Sequence, residues 1–362
     1  MRKLRVTSYK LRIKSIKKSI LIFLLLVACY SLLVTDVSAD EIRSRAAIVM
    51  EASTGRVLYG KNPNLRLPPA STTKLMTAMV ALGRLGINDT VEISEKAANV
   101  SPVKANLRAG EKVTVETLLY AALIKSANDA AFALAEATAG SEERFVDLMN
   151  QKVLALGLSD TRFVNSTGLP GDGQYTTVYD LARMMRHALM YPLIREVINT
   201  RASRITTEDG RSIFLKNSNK LLWADDSVLG GKTGYTKKAG HCFVCVSEHD
   251  GETLIVALLG TPSRDRLWKE SEDLLEKGAA VINGSENPVV YFTKSDYTAS
   301  IKKASYKVED PEKKGLLNKK KVKKNIKRSK NKLHVKSKRA KSQRYVKGNN
   351  GSGEKGSGDR GE

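Results

Sequence analysis

Three short segments of the chain carry residue types that make chemistry together: Ser71-Thr72-Thr73-Lys74, Ser126-Ala127-Asn128 and Lys232-Thr233-Gly234. They supply a serine nucleophile, a lysine one helical turn away, a second serine with an amide, and a cation on a predicted strand. Such a set can transfer an acyl group. A serine at a helix start has backbone N–H groups and the positive end of the helix dipole close to its hydroxyl, where an attacked carbonyl oxygen is stabilised as it gains charge. A lysine three residues on shares that helical face. Neutral lysine is a competent base, but an exposed one is protonated near neutrality, so Lys74 has to be desolvated or set beside another cation. Lys232 is the candidate for that cation.

The second segment sits where one apolar helix ends near Lys125 and the next begins at Asp129, so a short turn fixes both of its polar side chains. Ser126 can pass a proton between Lys74 and a leaving amine, and Asn128 can hold a substrate amide. In the third segment a side chain at Gly234 would keep an extended peptide from lying along the strand edge. Lys232 and Thr233 can bind a terminal carboxylate by charge and hydrogen bond. The backbone N–H of Tyr235 can pair with that of Ser71 to hold an oxyanion. Each pattern alone is weak: Ser-x-x-Lys recurs at Ser15, Ser101 and Ser329 among other positions, and Ser-x-Asn at Ser285 and Ser329. Lys-Thr-Gly occurs once, and the ordered trio within one domain is specific.

The elements that must position these residues alternate in kind. Residues 46–51 and 56–59, separated by Ser53-Thr54-Gly55, read as a hairpin. Pro68-Pro69-Ala70 punctuates the start of a helix through Leu75, Met76, Met79, Val80 and Leu82. Further helices are expected over 115–125, 127–139, 142–156 and 177–190. Strand character returns over 203–215, 228–233, 240–248 and 253–260, and 265–282 closes the body as an amphipathic helix. Strands at both ends with helices between them imply one sheet of sequence-distant strands packed by helices, an α/β (α+β) body.

Charge partitions by region. The chain of 362 residues has a net charge of +23, yet residues 1–39 carry about +7 and residues 294–362 about +16, from 23 Lys/Arg against 7 Asp/Glu, so the middle is near neutral. The basicity therefore belongs to the ends and does not mark a nucleic-acid-binding body. At the amino end a basic region precedes an apolar run over 20–34, followed by Val37-Ser38-Ala39, which reads as an export signal cleaved after Ala39. The run is shorter than the ~20 residues of a membrane helix. Lipid modification at Cys29 is the other processing route its residues allow. Cys242 and Cys245, in an apolar β-branched run, read as buried strand residues on opposite faces, neither bridged nor metal-bound. The reading by region is an export signal at 1–39, a catalytic body at 40–285 and a basic, low-complexity tail at 286–362. That tail holds too little apolar area to offset chain entropy and reads as disordered.

From about residue 42 to 282 the chain resembles the low-molecular-mass penicillin-binding proteins, the serine D-alanyl-D-alanine carboxypeptidases. The resemblance is carried by Pro68-Pro69-Ala70-Ser71-Thr72-Thr73-Lys74-Leu75-Met76-Thr77, Ser126-Ala127-Asn128-Asp129-Ala130-Ala131, Asn165-Ser166-Thr167-Gly168-Leu169-Pro170, Asn217-Ser218-Asn219-Lys220-Leu221-Leu222 and Gly231-Lys232-Thr233-Gly234-Tyr235-Thr236. It implies an antiparallel sheet flanked by helices, a helical subdomain, and a site between them. It further implies acylation of the serine by a peptidoglycan stem peptide, loss of the terminal D-alanine and hydrolysis, without metal or cofactor. β-Lactam antibiotics would acylate the same serine. An arginine after the last strand, Arg264 or Arg266, resembles one that supports the substrate carboxylate.

The resemblance leaves alternatives. A class A β-lactamase needs a glutamate to activate the deacylating water, and residues 161–169 contain no Glu or Asp. An endopeptidase cutting peptidoglycan crosslinks would use the same residues. A non-catalytic wall-binding protein would not need Ser71, Lys74 and Lys232 intact. No second all-β domain or amphipathic carboxy-terminal helix is read. The lysine-rich stretch stands in that place, suited to an anionic envelope polymer or membrane surface of an exported protein in the periplasm or on the outer face of the membrane.

Overall fold

The computed structural model describes residues 42–293, so the export signal read at 1–39 and the lysine-rich stretch from 294 onward lie outside the described residues. The chain enters through β1 (Ala46–Glu51) and β2 (Val57–Lys61), a hairpin closed by a turn with Gly55 at φ +79°. A 3-10 turn (Ala70–Thr73) leads into α1 (Lys74–Leu82), followed by β3 (Thr90–Glu92), α2 (Glu95–Asn99), β4 (Lys112–Thr114) and α3 (Val115–Ile124). Then come α4 (Asn128–Ala139), α5 (Glu142–Ala155), α6 (Val178–Ala188) and α7 (Pro192–Asn199). The hairpin β5 (Ala202–Thr206) and β6 (Ser212–Lys216) and the short α8 (Leu221–Ala224) precede β7 (Val228–Thr236), β8 (Gly240–His249), β9 (Glu252–Thr261), α9 (Arg264–Ile282) and β10 (Val289–Tyr291).

The main sheet has six strands in the order β10-β2-β1-β9-β8-β7, antiparallel throughout except where β10 joins β2 in parallel. β1 lies centrally because it alternates sides with no polar break: Ile48 and Met50 enter one core cluster, Ala47 and Val49 the other. On the first face the sheet packs against α6 and α7, with α1 and α4 further out in the same core cluster; on the second, α9 covers it with Leu267, Trp268, Leu274 and Leu275. Each fully buried Leu, Ile, Val or Met contributes roughly 1.5–3 kcal/mol to holding these layers together. Cys242 lies in the first cluster and Cys245 in the second, as free thiols on opposite faces.

Helix starts follow local chemistry. Thr114, Ser141, Thr177 and Ser263 each accept a backbone N–H of the first turn at the heads of α3, α5, α6 and α9. Beyond the short β3, α2, β4 and α8, which the sequence reading did not include, four features differ from it. The helix carrying Ser71 is preceded by a 3-10 turn, so α1 proper opens at Lys74. The stretch 203–215 is two short strands of a separate sheet, because Thr207–Gly210 turns the chain with Gly210 at φ +84°. Residues 192–199, opened by Pro192, add a helix. Finally, the sheet extends past residue 285 to take in β10.

Candidate active site

The 3-10 turn and the first residue of α1 set Ser71 and Lys74. Pro69 caps the turn, and Thr72 donates both its N–H and its hydroxyl to Pro69 O, at 3.3 and 2.7 Å. Ala70 takes φ +48°, a conformation that costs a non-glycine residue energy and swings Ser71 to the cleft, half-buried. Lys74 is fully buried, one turn further on. Its Nζ lies 3.1 Å from Ser71 Oγ, 2.7 Å from Asn128 Oδ1 and 2.7 Å from Thr167 O. Burial first, and the charge of Lys232 second, push the Lys74 amine well below its ordinary range, against a smaller upward pull from Asp129.

Two of those three neighbours, the Asn128 amide oxygen and the Thr167 carbonyl, can only accept hydrogen bonds. A neutral amine has two hydrogens, and these acceptors take both, which leaves the lone pair toward the Ser71 hydroxyl. The sequence assigned Asn128 to a substrate amide; its oxygen is turned to Lys74, a contact that leaves the side-chain NH2 donor for that role. The carbonyl of Thr167 had no signal in the sequence, since a backbone atom leaves no residue-type signature. The loop that presents it is built from Asn165, whose Oδ1 accepts from Thr167 Oγ1 at 3.2 Å and Gly168 N at 2.7 Å. Thr77 Oγ1 on α1 donates to Ser166 O at 2.6 Å, pinning the loop to the serine's own helix. Gly168 has φ +83°, and a Cβ there would stand 1.9 Å from Ala70 O.

Ser126 occupies the turn between α3 and α4 with φ +64°, a second strained non-glycine residue at the cleft. Its hydroxyl accepts from Lys232 Nζ at 2.8 Å. Lys232 is itself buried, also donates to Thr233 O at 3.0 Å, and is pushed down to about 7 by desolvation. Thr233 Oγ1 lies 2.6 Å from Ser218 Oγ. The cation therefore acts from inside the strand through Ser126, and the Thr233 hydroxyl is braced by Ser218, a residue without an assigned role in the sequence reading.

β7 is the edge strand of the main sheet, and it runs against the Ser71 turn. A Cβ on Gly234 would fall 2.7 Å from Ser71 N and 3.0 Å from Ala70 Cβ, so only glycine lets strand and turn meet. Tyr235 follows, 58% exposed, with its ring centroid 4.5 Å from that of His241. The charge of Arg264 reaches this corner: after burial, it is the second influence holding His241 below its usual range. Arg266 is half-buried in the first turn of α9, where its N–H is bound by Ser263 Oγ at 3.3 Å.

Asp129, next to Asn128, faces away from the lysine. Its carboxylate accepts the N–H groups of Ala105, Leu107 and Ala130 at 3.0, 3.1 and 2.9 Å. The strap before β4 is thereby fixed over the head of α4, and Asn128 N donates to Val103 O at 2.7 Å in the same junction.

Comparison with known proteins agrees with this geometry. The family profile described as D-alanyl-D-alanine carboxypeptidase matches residues 33–263. The chain is 37% identical over 222 residues to the D-alanyl-D-alanine carboxypeptidase DacF of Bacillus subtilis, covering 60% of this chain but only 57% of DacF. It is 29% identical over 278 residues to a D-alanyl-D-alanine endopeptidase of Escherichia coli, covering 73% of this chain and 89% of that one. Among solved structures, the Streptomyces K15 DD-transpeptidase superposes with a TM-score of 0.64 at 30% identity, over 66% of this chain and 98% of that chain.

Proposed function

The chain belongs to the D-alanyl-D-alanine carboxypeptidase family, and from that premise we propose that it is a serine hydrolase removing the terminal D-alanine of peptidoglycan stem peptides. The observation that carries the reading is the Lys74 amine, buried, short of acceptors to donate to other than Asn128 and Thr167, and 3.1 Å from Ser71 Oγ. Neutral Lys74 takes the hydroxyl proton as Ser71 Oγ attacks the carbonyl carbon of the penultimate D-alanine. The resulting oxyanion sits against the N–H groups of Ser71 and Tyr235. Collapse breaks the C–N bond, and Ser126, bonded to Lys232, relays the proton to the departing amine. Water then attacks the ester, returning Ser71 and releasing the shortened peptide. Asn128 orients Lys74; Thr233, with the charge of Lys232 behind it and Arg264 beyond Tyr235, receives the substrate carboxylate. Arg266 is the lesser candidate for that carboxylate.

β-Lactams acylate Ser71 by the same attack. Labelled penicillin should mark the wild-type protein and leave Ser71→Ala unmarked; equal labelling of both would end this assignment. Cutting of crosslinks between stem peptides is the second reading, favoured by the near full-length match to the endopeptidase relative. Product analysis on defined monomeric and crosslinked muropeptides separates the two. The catalytic body on this reading is 40–285, continued by the pairing of β10 with β2. The family's chemistry places its action in the cell envelope. The apolar run and Val37-Ser38-Ala39 support export to the periplasm or outer membrane face, and the lysine-rich tail supports contact with an anionic envelope surface.

A further inference from the structure

The hairpin that delivers Ser218 to Thr233 has two unlike faces. Ile205, Ile213 and Leu215 point into the core, whereas Arg204, Phe214 and Lys216 are exposed. Arg204 and Phe214 are direct cross-strand partners, and Phe214 keeps 60% of its surface open. Past Ser218 the chain turns into α8, where Trp223 is 45% exposed and Lys216 Nζ stands 5.3 Å from its ring centroid. A single exposed aromatic needs no explanation. Here two rings alternate with two cations on one braced element. Arg204 and Lys216 have no carboxylate partner among the described residues. Of the acids in the adjoining segments, Asp226 pairs with Arg201 at 2.5 Å and Glu208 accepts from Thr90 Oγ1 at 2.8 Å.

This face is continuous with the acyl-transfer site. Lys216 precedes Ser218 by two residues, about 7 Å of extended chain, and Ser218 Oγ is 2.6 Å from Thr233 Oγ1. We propose that the outward face of the β5–β6 hairpin with Trp223 is a second binding surface for the polymeric substrate. Phe214 and Trp223 pack on the apolar faces of glycan sugar rings, and Arg204 and Lys216 pair with carboxylates of the attached stem peptides. The inference rests on the peptidoglycan reading above. Its consequence is a two-point hold: polymer bound at the hairpin presents peptide termini to Ser71 at raised local concentration, an advantage a short free peptide cannot share.

The test uses the full chain with isolated sacculi. In the Ser71→Ala background, which separates binding from turnover, Phe214→Ala with Trp223→Ala should weaken co-sedimentation with sacculi roughly tenfold, the scale of losing aromatic anchors. With Ser71 restored, the same pair should slow D-alanine release from sacculi and leave penicillin acylation and turnover of a short acyl-D-alanyl-D-alanine within about twofold, since neither reaches the hairpin. Arg204→Glu with Lys216→Glu should repeat the loss without removing a ring. Unchanged co-sedimentation, an equal fall on short and polymeric substrates, or loss of binding to anionic vesicles alone would overturn the proposal. Failure of the acyl-transfer reading shows separately, as a wild-type protein that penicillin does not label.

Discussion

Replacing Asn128 by aspartate tests the ionisation of Lys74 with almost no change of shape. Asn128 Oδ1 lies 2.7 Å from Lys74 Nζ, and both residues are buried. The substitution keeps an acceptor at that point and adds a negative charge. Two unit charges at that separation interact by about 6 kcal/mol at an effective dielectric near 20. Desolvation of the new carboxylate opposes part of this, and shifts from an adjacent opposite charge run to about 1–3 pKa units. The sign is upward, because the carboxylate favours the protonated amine. Below the amine's pKa, each unit lowers the neutral fraction tenfold, so on the acid limb, below the pKa of both proteins, acylation should fall about 10- to 1,000-fold. The assay is the second-order rate of penicillin acylation from pH 5 to 10. The acid limb of the variant should move to higher pH, with the rate recovering toward wild type at the alkaline end. A uniform loss with an unmoved limb would refute the reasoning and return Asn128 to the substrate-amide role that its sequence position suggested.

Gly234→Ala should cost roughly 1–3 kcal/mol of stability by overpacking, because its Cβ would meet Ser71 N at 2.7 Å, and it should cut acylation far more than thermal unfolding suggests. Normal acylation with a lowered Tm would show that β7 does not set the serine's position. Lys232, pushed down to about 7, gives a linkage prediction. The unfolded chain holds the proton up to about pH 10.4, while the folded one releases it from about 7, so folding stability should rise with pH across that window by a few kcal/mol. Urea unfolding at pH 7 and 9.5 should show this rise in the wild type and a smaller one in Lys232→Met; identical slopes would place the depressed pKa elsewhere.

The main outline was legible because its determinants are local. Ser/Thr caps and apolar periodicity fix helix starts, and the three segments carry their side chains at spacings that survive any loop. Apolar, strand-like runs over 46–51, 240–248 and 253–260 foretold a buried sheet, and the opposite placement of Cys242 and Cys245 followed from strand period alone. What sequence could not show was long-range or made of backbone. The parallel return of β10 to β2 depends on pairing between residues 289–291 and 59–61, and no local pattern encodes it. Splitting 203–215 into a hairpin hinged on one turn among polar residues. Thr167 contributes a carbonyl, and Ser218 a hydroxyl whose partner is only three-dimensionally near. The direction of Lys232, toward Ser126 rather than out of the strand, likewise required coordinates.

Asn128 and Asp129 show why neighbouring residues of nearly equal shape are not interchangeable here. A carboxylate lies in the residue beside the lysine's amide partner, yet Lys74 remains below its ordinary range. The reason is that burial and the charge of Lys232 outweigh the pull of Asp129, whose carboxylate is turned to the N–H groups of Ala105, Leu107 and Ala130. The helix turn sends Asn128 to the cleft and Asp129 to the strap over α4. One step along the backbone thus separates a neutral acceptor, which leaves Lys74 able to lose its proton, from a charge that would hold that proton in place. A lysine base in a buried site requires that order, amide toward the amine and carboxylate away, and exchanging the two side chains should abolish acylation even if the fold keeps every other contact.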